Sequence, residues 1–274
     1  MTRHITELGK REVEFLSTLA SQGREIFTID DARKYWGAPH TTRKRLAHLA
    51  KKGWLERLER GKYLIIPLEA GPERFWSEHA LVISAHLLKP SAVAYWSALH
   101  YWRLTEQAPR VVFVQSTSRK FAAEKQVLGV TYRFITVVER KFFGRRQERI
   151  DHKVFFVTDK EKTLLDCLDR PDLAGGLVEV VKALRMSASE FDWDHIDAYA
   201  KRLNVGAVLK RLGFLIEALG VAIPDRHERL SRWSVGITAG ISKLDPSTPR
   251  KEHRIDTRWR VRVNLDERLF SSST

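Results

Sequence analysis

The hydrophobic positions of residues 1–67 recur first at helical and then at strand spacing, which predicts three helices followed by a β-hairpin. The expected bounds are about Glu7–Ala20, Thr28–Trp36 and His40 or Thr41 to Lys52 for the helices, and Trp54–Leu58 and Lys62–Ile66 for the strands. Thr28 and Asp31 form a capping-box pattern at the start of the second helix. Gly37 and Gly53 end the second and third helices. This order of elements is typical of a winged helix-turn-helix.

A linker is predicted at Pro67–Pro72, and beyond it residues 73–274 are predicted to form a larger domain of mixed helices and strands. The predicted helices are Glu73–Leu88, Ser91–Trp102, Gly176–Leu184, Asp194–Leu203 and Gly206–Leu219. A further helix is predicted to begin with a capping box at Thr158–Glu161 and to end at Leu168. The predicted strands are Val111–Val114, Tyr132–Val138, Lys153–Val157 and Trp259–Val263. The expected fold class is therefore α+β, with an N-terminal winged helix-turn-helix and a larger mixed α/β domain after it.

The composition indicates a globular protein of the reducing cytoplasm. Of the 274 residues, 43% are hydrophobic, which is enough to build a core, and no apolar run reaches the length of about 18 residues that a membrane helix needs. The N-terminus carries no signal-peptide pattern. The single cysteine, Cys167, permits neither an internal disulfide nor a cysteine-based zinc cluster, and the scattered histidines show no metal-ligand spacing. We therefore expect no metal and no cofactor.

The net charge of +14 indicates an anionic partner, and nucleic acid fits better than a membrane surface. The charge is unevenly distributed. Residues 1–67, 110–150 and 226–274 have net charges of +6, +7 and +5, whereas residues 151–225 have −3. We expect the basic regions of both domains to contribute to DNA binding and the less basic helices of residues 151–225 to suit a protein partner.

The third predicted helix carries the clearest functional pattern. When its apolar residues face the core, the opposite face presents basic and hydroxyl side chains without any carboxylate. A helix with this face fits the major groove, where Arg and Lys can bind guanine or phosphate. The predicted DNA-binding residues are Thr41, Thr42, Lys44, Arg45, His48 and Lys51 on the helix, and Arg57, Arg60 and Lys62 on the wing. The alternative interpretation is a solvated, lysine-rich helix in a winged helix that binds protein.

Two other charged segments have structural interpretations. The lysines and carboxylates of residues 158–169 resemble a catalytic cluster, but a helix cap and a solvated helix face explain them, with Asp166 alone near the apolar stripe. The basic cluster Arg145-Arg146-Gln-Glu-Arg149 is predicted to be a solvated loop, with an accessory phosphate contact as the alternative. No nucleophile, metal or phosphate-loop spacing was found, so no catalytic residue is predicted.

Two sequence segments resemble the AbiEi-type antitoxins of type IV toxin–antitoxin (abortive infection) systems. The first is Leu46-Ala-His-Leu-Ala-Lys-Lys-Gly-Trp-Leu-Glu-Arg-Leu-Glu-Arg-Gly-Lys-Tyr63, which is similar to the second half of the family's N-terminal winged helix. The second domain is similar to the family's at Ser91-Ala-Val-Ala-Tyr-Trp-Ser-Ala-Leu-His-Tyr-Trp102 and at Val154–Pro171. The resemblance covers about 220 residues.

The resemblance implies a repressor of its own operon that also neutralises a nucleotidyltransferase toxin encoded beside it. The DNA partner would be a double-stranded operator with inverted repeats, and neutralisation would lie in the second domain, where no motif assigns it to particular residues. The chain itself lacks the Gly-Ser that opens nucleotidyltransferase active sites, so it is not expected to be the toxin.

Two other classes of function stay open on the sequence. One is a ligand-responsive winged-helix regulator whose second domain binds a small molecule, which a deep, polar-lined pocket would favour. The other is an enzyme fused to a DNA-binding domain, which requires a cleft with convergent titratable groups.

Overall fold

The computed structural model describes residues 7–66, 80–119, 122–150, 153–248, 254–266 and 268. Its helices are α1 (Lys10–Ser21), α2 (Ile29–Trp36), α3 (Pro39–Lys52), α4 (Ala80–Leu87), α5 (Tyr95–Tyr101), α6 (Lys160–Asp169), α7 (Leu177–Ser187), α8 (Trp193–Leu203), α9 (Gly206–Ala218) and α10 (Arg226–Gly236). Its strands are β1 (Ile26–Thr28), β2 (Leu55–Glu59), β3 (Lys62–Ile65), β4 (Ala92–Val93), β5 (Val111–Ser116), β6 (Glu124–Val127), β7 (Val130–Thr136), β8 (Arg145–Ile150), β9 (Lys153–Thr158), β10 (Ser242–Lys243), β11 (Arg254–Asp256) and β12 (Val261–Val263). The α+β class is confirmed. The predicted linker Pro67–Pro72 and residues 73–79 of the predicted helix Glu73–Leu88 lie outside the described residues.

The N-terminal elements form the predicted winged helix-turn-helix. Apolar residues of α1 and α3 pack around Phe15 and Phe27, whose rings meet edge to face with centroids 5.2 Å apart. The wing strands β2 and β3 pair antiparallel around Gly61, which has φ +77°. The sequence pattern did not predict β1, a three-residue strand that pairs with β3 and completes a three-stranded sheet in the order β1-β3-β2. A strand this short shows no alternation to detect.

The second domain is built on a six-stranded mixed sheet in the order β6-β7-β5-β4-β9-β8. Helix α4 packs on one face, and α6 lies centrally among α5, α7, α8 and α9 in the main core of the domain. Three of the four predicted strands correspond to β5, β7 and β9, and the fourth, Trp259–Val263, shortens to β12. A small sheet of β10, β12 and β11 packs against α9 through the fully buried Trp259.

Several expectations for this domain need correction. The predicted helix Ser91–Trp102 begins with strand β4, which bridges β5 and β9, and turns helical only at Tyr95. The cap of α6 is Asp159, whose carboxylate accepts from the backbone N–H of Lys162, because Thr158 still belongs to strand β9. The cluster Arg145–Arg149 is an edge strand rather than a loop. Strand β6 and helix α10 were not predicted.

The wing of the first domain packs directly on the second domain. Leu58, Leu64 and Ile66 share one hydrophobic cluster with residues of α4, β5 and β7, including Tyr132. A 2.5 Å ion pair between Lys153 and Glu25 adds a polar contact between β9 and the segment before β1. A fragment ending near residue 67 would therefore expose apolar surface that the whole chain buries.

Candidate nucleic-acid interface

The turn between α2 and α3 is fixed by local chemistry on both sides. The hydroxyl of Thr28 accepts from the backbone N–H of Asp31 at 3.3 Å, and the Asp31 carboxylate accepts from the N–H of Thr28 at 2.8 Å, which confirms the predicted capping box. Partial burial raises the pKa of Asp31, but hydrogen bonds from Arg24 and Thr28 outweigh it and hold the pKa at about 2. Gly37, with φ +77°, ends α2 and lets the chain turn directly into α3.

Helix α3 buries one face and presents the other. Thr42, Leu46 and Leu49 point into the core, and Gly53 ends the helix in the left-handed conformation with φ +94°. The opposite face forms a shallow depression of about 680 Å³, lined by His40, Thr41, Lys44, Arg45, Ala47, His48 and Lys51. The helix contains no Asp or Glu, so this face carries only positive and neutral groups.

Arg45 is held on this face by an aromatic contact. Its guanidinium lies 5.5 Å from the centroid of the Trp36 ring, at the end of α2. The predicted helix residues Thr41, Lys44, His48 and Lys51 are exposed beside it, and the structure brings them together on one surface. Arg43 is also exposed but does not line the depression, because it lies around the helix from this face.

Thr42 does not belong to this surface, which corrects the sequence interpretation. Its side chain is fully buried, and its hydroxyl has no hydrogen-bond partner within the described residues. The helical period places Thr42 four residues before Leu46, on the inward stripe. The Thr42 hydroxyl stands among basic residues in the sequence and therefore resembled a DNA contact. Its position in the helical period, however, directs the side chain into the core.

The wing contributes fewer cations than predicted. Arg57 and Arg60 are exposed near the hairpin turn. Lys62 is half-buried, and its ammonium donates to Glu59 at 2.7 Å and to the backbone carbonyl of His86 at 2.9 Å. Lys62 therefore joins the wing to the end of α4, and the structure gives no support to the predicted phosphate contact of this residue.

The charged residues of α6 form a buried cluster rather than a solvated face. Lys162 and Asp166 make an ion pair with side-chain exposures of 0% and 2%. Gln115 donates to the second carboxylate oxygen of Asp166 at 3.3 Å and to the hydroxyl of Tyr95 at 3.1 Å. Burial raises the pKa of Asp166, and the neighbouring Lys162 opposes that effect. The ion pair therefore lies in the core of the domain.

Other site chemistry is sparse. Among the described residues no group of three or more His, Cys, Asp or Glu side chains is placed to bind a metal ion. None of the described helices has both the length and the apolar character that crossing a membrane requires. A second depression, of about 820 Å³, lies between α4, α5 and β5 and is lined mainly by apolar atoms.

Comparisons with known proteins agree with the winged helix. The fold of nearly the whole chain recurs in the crystal structure of the RV2827C protein from Mycobacterium tuberculosis, with a TM-score of 0.67, 14% sequence identity and coverage of 95% of this chain and 94% of that one. No curated protein matches the chain. Residues 14–66 match the family model described as "Transcriptional regulator, AbiEi antitoxin". The N-terminal winged helix is thus similar to the AbiEi antitoxin family of transcriptional regulators.

Proposed function

We propose that the protein represses its own operon by binding a duplex operator with inverted repeats through α3 and the wing. The observation that carries this proposal is the carboxylate-free face of α3, on which Lys44 and Lys51 are exposed beside the partly buried Arg45. A helix of this kind can enter the major groove, where Arg45 is placed to read a base edge and the lysines to contact phosphates. Arg57 and Arg60 would reach the adjacent backbone.

Replacing Lys44 and Lys51 together by Ala should weaken operator binding and make it less dependent on salt. Each lost phosphate contact lowers the slope of log K against log salt concentration by about 0.9, so the double variant should lose about 1.8. Arg45→Ala should instead relax specificity at one base pair by about 1–3 kcal/mol. The measurement is a salt titration of the whole chain on DNA from upstream of its own gene.

A matched control removes one exposed cation from another part of the chain. Lys201→Ala, on α8 of the less basic helical region, should leave affinity and slope unchanged. Lys62→Ala should also keep the slope, because the Lys62 ammonium already has two partners within the protein. If Lys201→Ala lowered the affinity for the operator as much as the α3 double variant does, only the overall charge would matter. Helix α3 would then not be the element that recognises the DNA.

We propose further that the second domain neutralises, in the cytoplasm, a nucleotidyltransferase toxin encoded beside this protein, and that the chain does so without turning over a substrate. The support is the resemblance of segments 91–102 and 154–171 to AbiEi-type antitoxins and the net charge of −3 over residues 151–225. The polar groups that could have suggested catalysis, Lys162 and Asp166, are inaccessible in the core.

The two activities should separate in a growth assay. When the whole chain is expressed from an unrelated promoter beside the toxin, the Lys44→Ala, Lys51→Ala double variant should rescue growth as well as the wild type although its operator binding is weakened. Rescue that disappears with DNA binding would contradict a separate role for the second domain. The whole chain is needed here because the wing and the second domain share a hydrophobic cluster.

A further inference from the structure

The hairpin of β8 and β9 has one face that no other element covers fully. The strands pair antiparallel, with Gln147 opposite Phe156 and Arg149 opposite Val154. Because side chains opposite each other lie on the same side of a sheet, these four residues and Arg145 share one face. We call these five residues the outer hairpin face. All five are exposed, Phe156 to 38% and Val154 to 36%.

The other side of the same hairpin is packed against the protein. Phe155 and Val157 are buried there with residues of α4 and α5. On β8, Glu148 accepts a 3.2 Å hydrogen bond from the hydroxyl of Tyr101, and Arg146 lies over the ring of Trp102. The alternation along β8 therefore places Glu148 and Arg146, whose side chain is itself 63% exposed, on the opposite face of the strand from the outer hairpin face.

The chemistry of the outer hairpin face is aromatic and basic. It combines the exposed Phe156 ring with two arginines and contains no carboxylate. Arg149 has no ion-pair or hydrogen-bond partner among the described residues, and Arg145 stacks its guanidinium 4.1 Å from the centroid of the Phe142 ring. Because β8 is an edge strand, the row of arginines also opposes pairing with a second copy of this chain.

We propose that the outer hairpin face binds single-stranded nucleic acid, with a base stacked on Phe156 and backbone phosphates at Arg145 and Arg149. The two arginines are four residues apart on a strand, about 13 Å, so they flank the ring along the strand. A flat sheet face with an exposed aromatic ring and flanking cations suits unpaired bases, whose faces are free to stack. A duplex hides those faces and is the proposed ligand of α3, so the two surfaces are independent.

The test measures fluorescence anisotropy of the whole chain with a labelled 15-nucleotide RNA, the DNA of the same sequence, and the duplex of that DNA. Phe156→Ala should weaken binding to the single strands by about tenfold or more, and Phe156→Leu should weaken it too, because Leu keeps the apolar bulk but offers no ring. Arg149→Gln should flatten the salt dependence by about 0.7, the contribution of one phosphate contact on a single strand.

Arg146→Gln is the matched control, since it removes the same charge from an exposed side chain on the opposite face of the same strand. It should leave binding and salt dependence unchanged, and so should the α3 double variant. If the RNA and the single-stranded DNA bind with different affinities, the one that binds more tightly is the preferred ligand. Either preference supports binding of a single strand at the outer hairpin face. The proposal is overturned if the Phe156 variants bind single strands as the wild type does, if Arg146→Gln loses as much as Arg149→Gln, or if the α3 variant abolishes the binding.

Discussion

Replacing Lys162 by Met should lower the free energy of unfolding by about 3–5 kcal/mol, because it leaves the Asp166 carboxylate buried without its cation. The ammonium also lies 4.9 Å from the centroid of the Phe143 ring, so its loss removes a second contact. In this variant the Asp166 carboxylate keeps Gln115 as its one hydrogen-bond donor among the described residues. Denaturant unfolding of the whole chain, followed by tryptophan fluorescence, gives the midpoint and slope that measure the loss.

Removing both charges should restore most of the stability. In the Lys162→Met, Asp166→Leu double variant neither ion is buried, and apolar replacements of a buried pair are often neutral or stabilising. Arg170→Gln is the control, because its ion pair with Asp172 is exposed to 49% and 37% and should contribute less than about 1 kcal/mol. A double variant as unstable as Lys162→Met would show that packing, not the uncompensated charge, dominates. Operator binding that survives in the double variant would support a structural role for the pair.

The sequence predicted the winged helix well because its signals are local. The Thr28 and Asp31 cap, the glycines after α2 and α3, and the turn of the wing at Gly61 each act within a few residues of the chain. Such features do not depend on which distant segment packs nearby. The missing strand β1 is the exception, since only its pairing with β3 defines it.

The second domain was predicted less completely because its key features are set by distant partners. Lysine is almost never fully buried, so a Lys–Asp pair four residues apart suggests a solvated helix face. Here Lys162 and Asp166 are buried because Gln115 and Tyr95, on other elements, close over them. Strand β8 was not predicted because its sequence is highly charged. An edge strand with one open face carries polar residues where a core strand carries apolar ones.

Within the candidate DNA site, the sequence predicted the exposed face of α3 but also included Thr42 and Lys62, which the structure does not leave free on that surface. Thr42 and Leu46 occupy the same side of the helix, and the period alone was sufficient to assign Thr42 to the core. The position of Lys62 depends on the backbone carbonyl of His86, which is contributed by α4 of the other domain. No pattern within the wing could indicate that contact.

Trp259 packs directly on the backbone of α9, and Gly213 is what permits the approach. The indole N–H donates to Glu217 one turn further along the same helix at 2.6 Å, and the ring is fully buried. A Cβ atom at position 213 would lie 2.1 Å from the Cζ3 atom of the ring, which is closer than any real contact. The ring is enclosed by the core, so it has no free space to move into.

Gly213→Ala should therefore destabilise the protein by about 1–3 kcal/mol or more, although Ala favours a helix over Gly by about 1 kcal/mol. In the background of Trp259→Leu the obstructing ring is absent, so the same Gly213→Ala change should become neutral or stabilising. This reversal of sign in a double-mutant cycle, measured by urea unfolding of the whole chain, isolates the contact from every other effect.

Gly236→Ala, at the end of α10 with no atom within 4 Å of the added methyl, is the control and should change stability by less than about 0.5 kcal/mol. Equal destabilisation by Gly213→Ala in both backgrounds would mean that the glycine serves something other than the packing of Trp259.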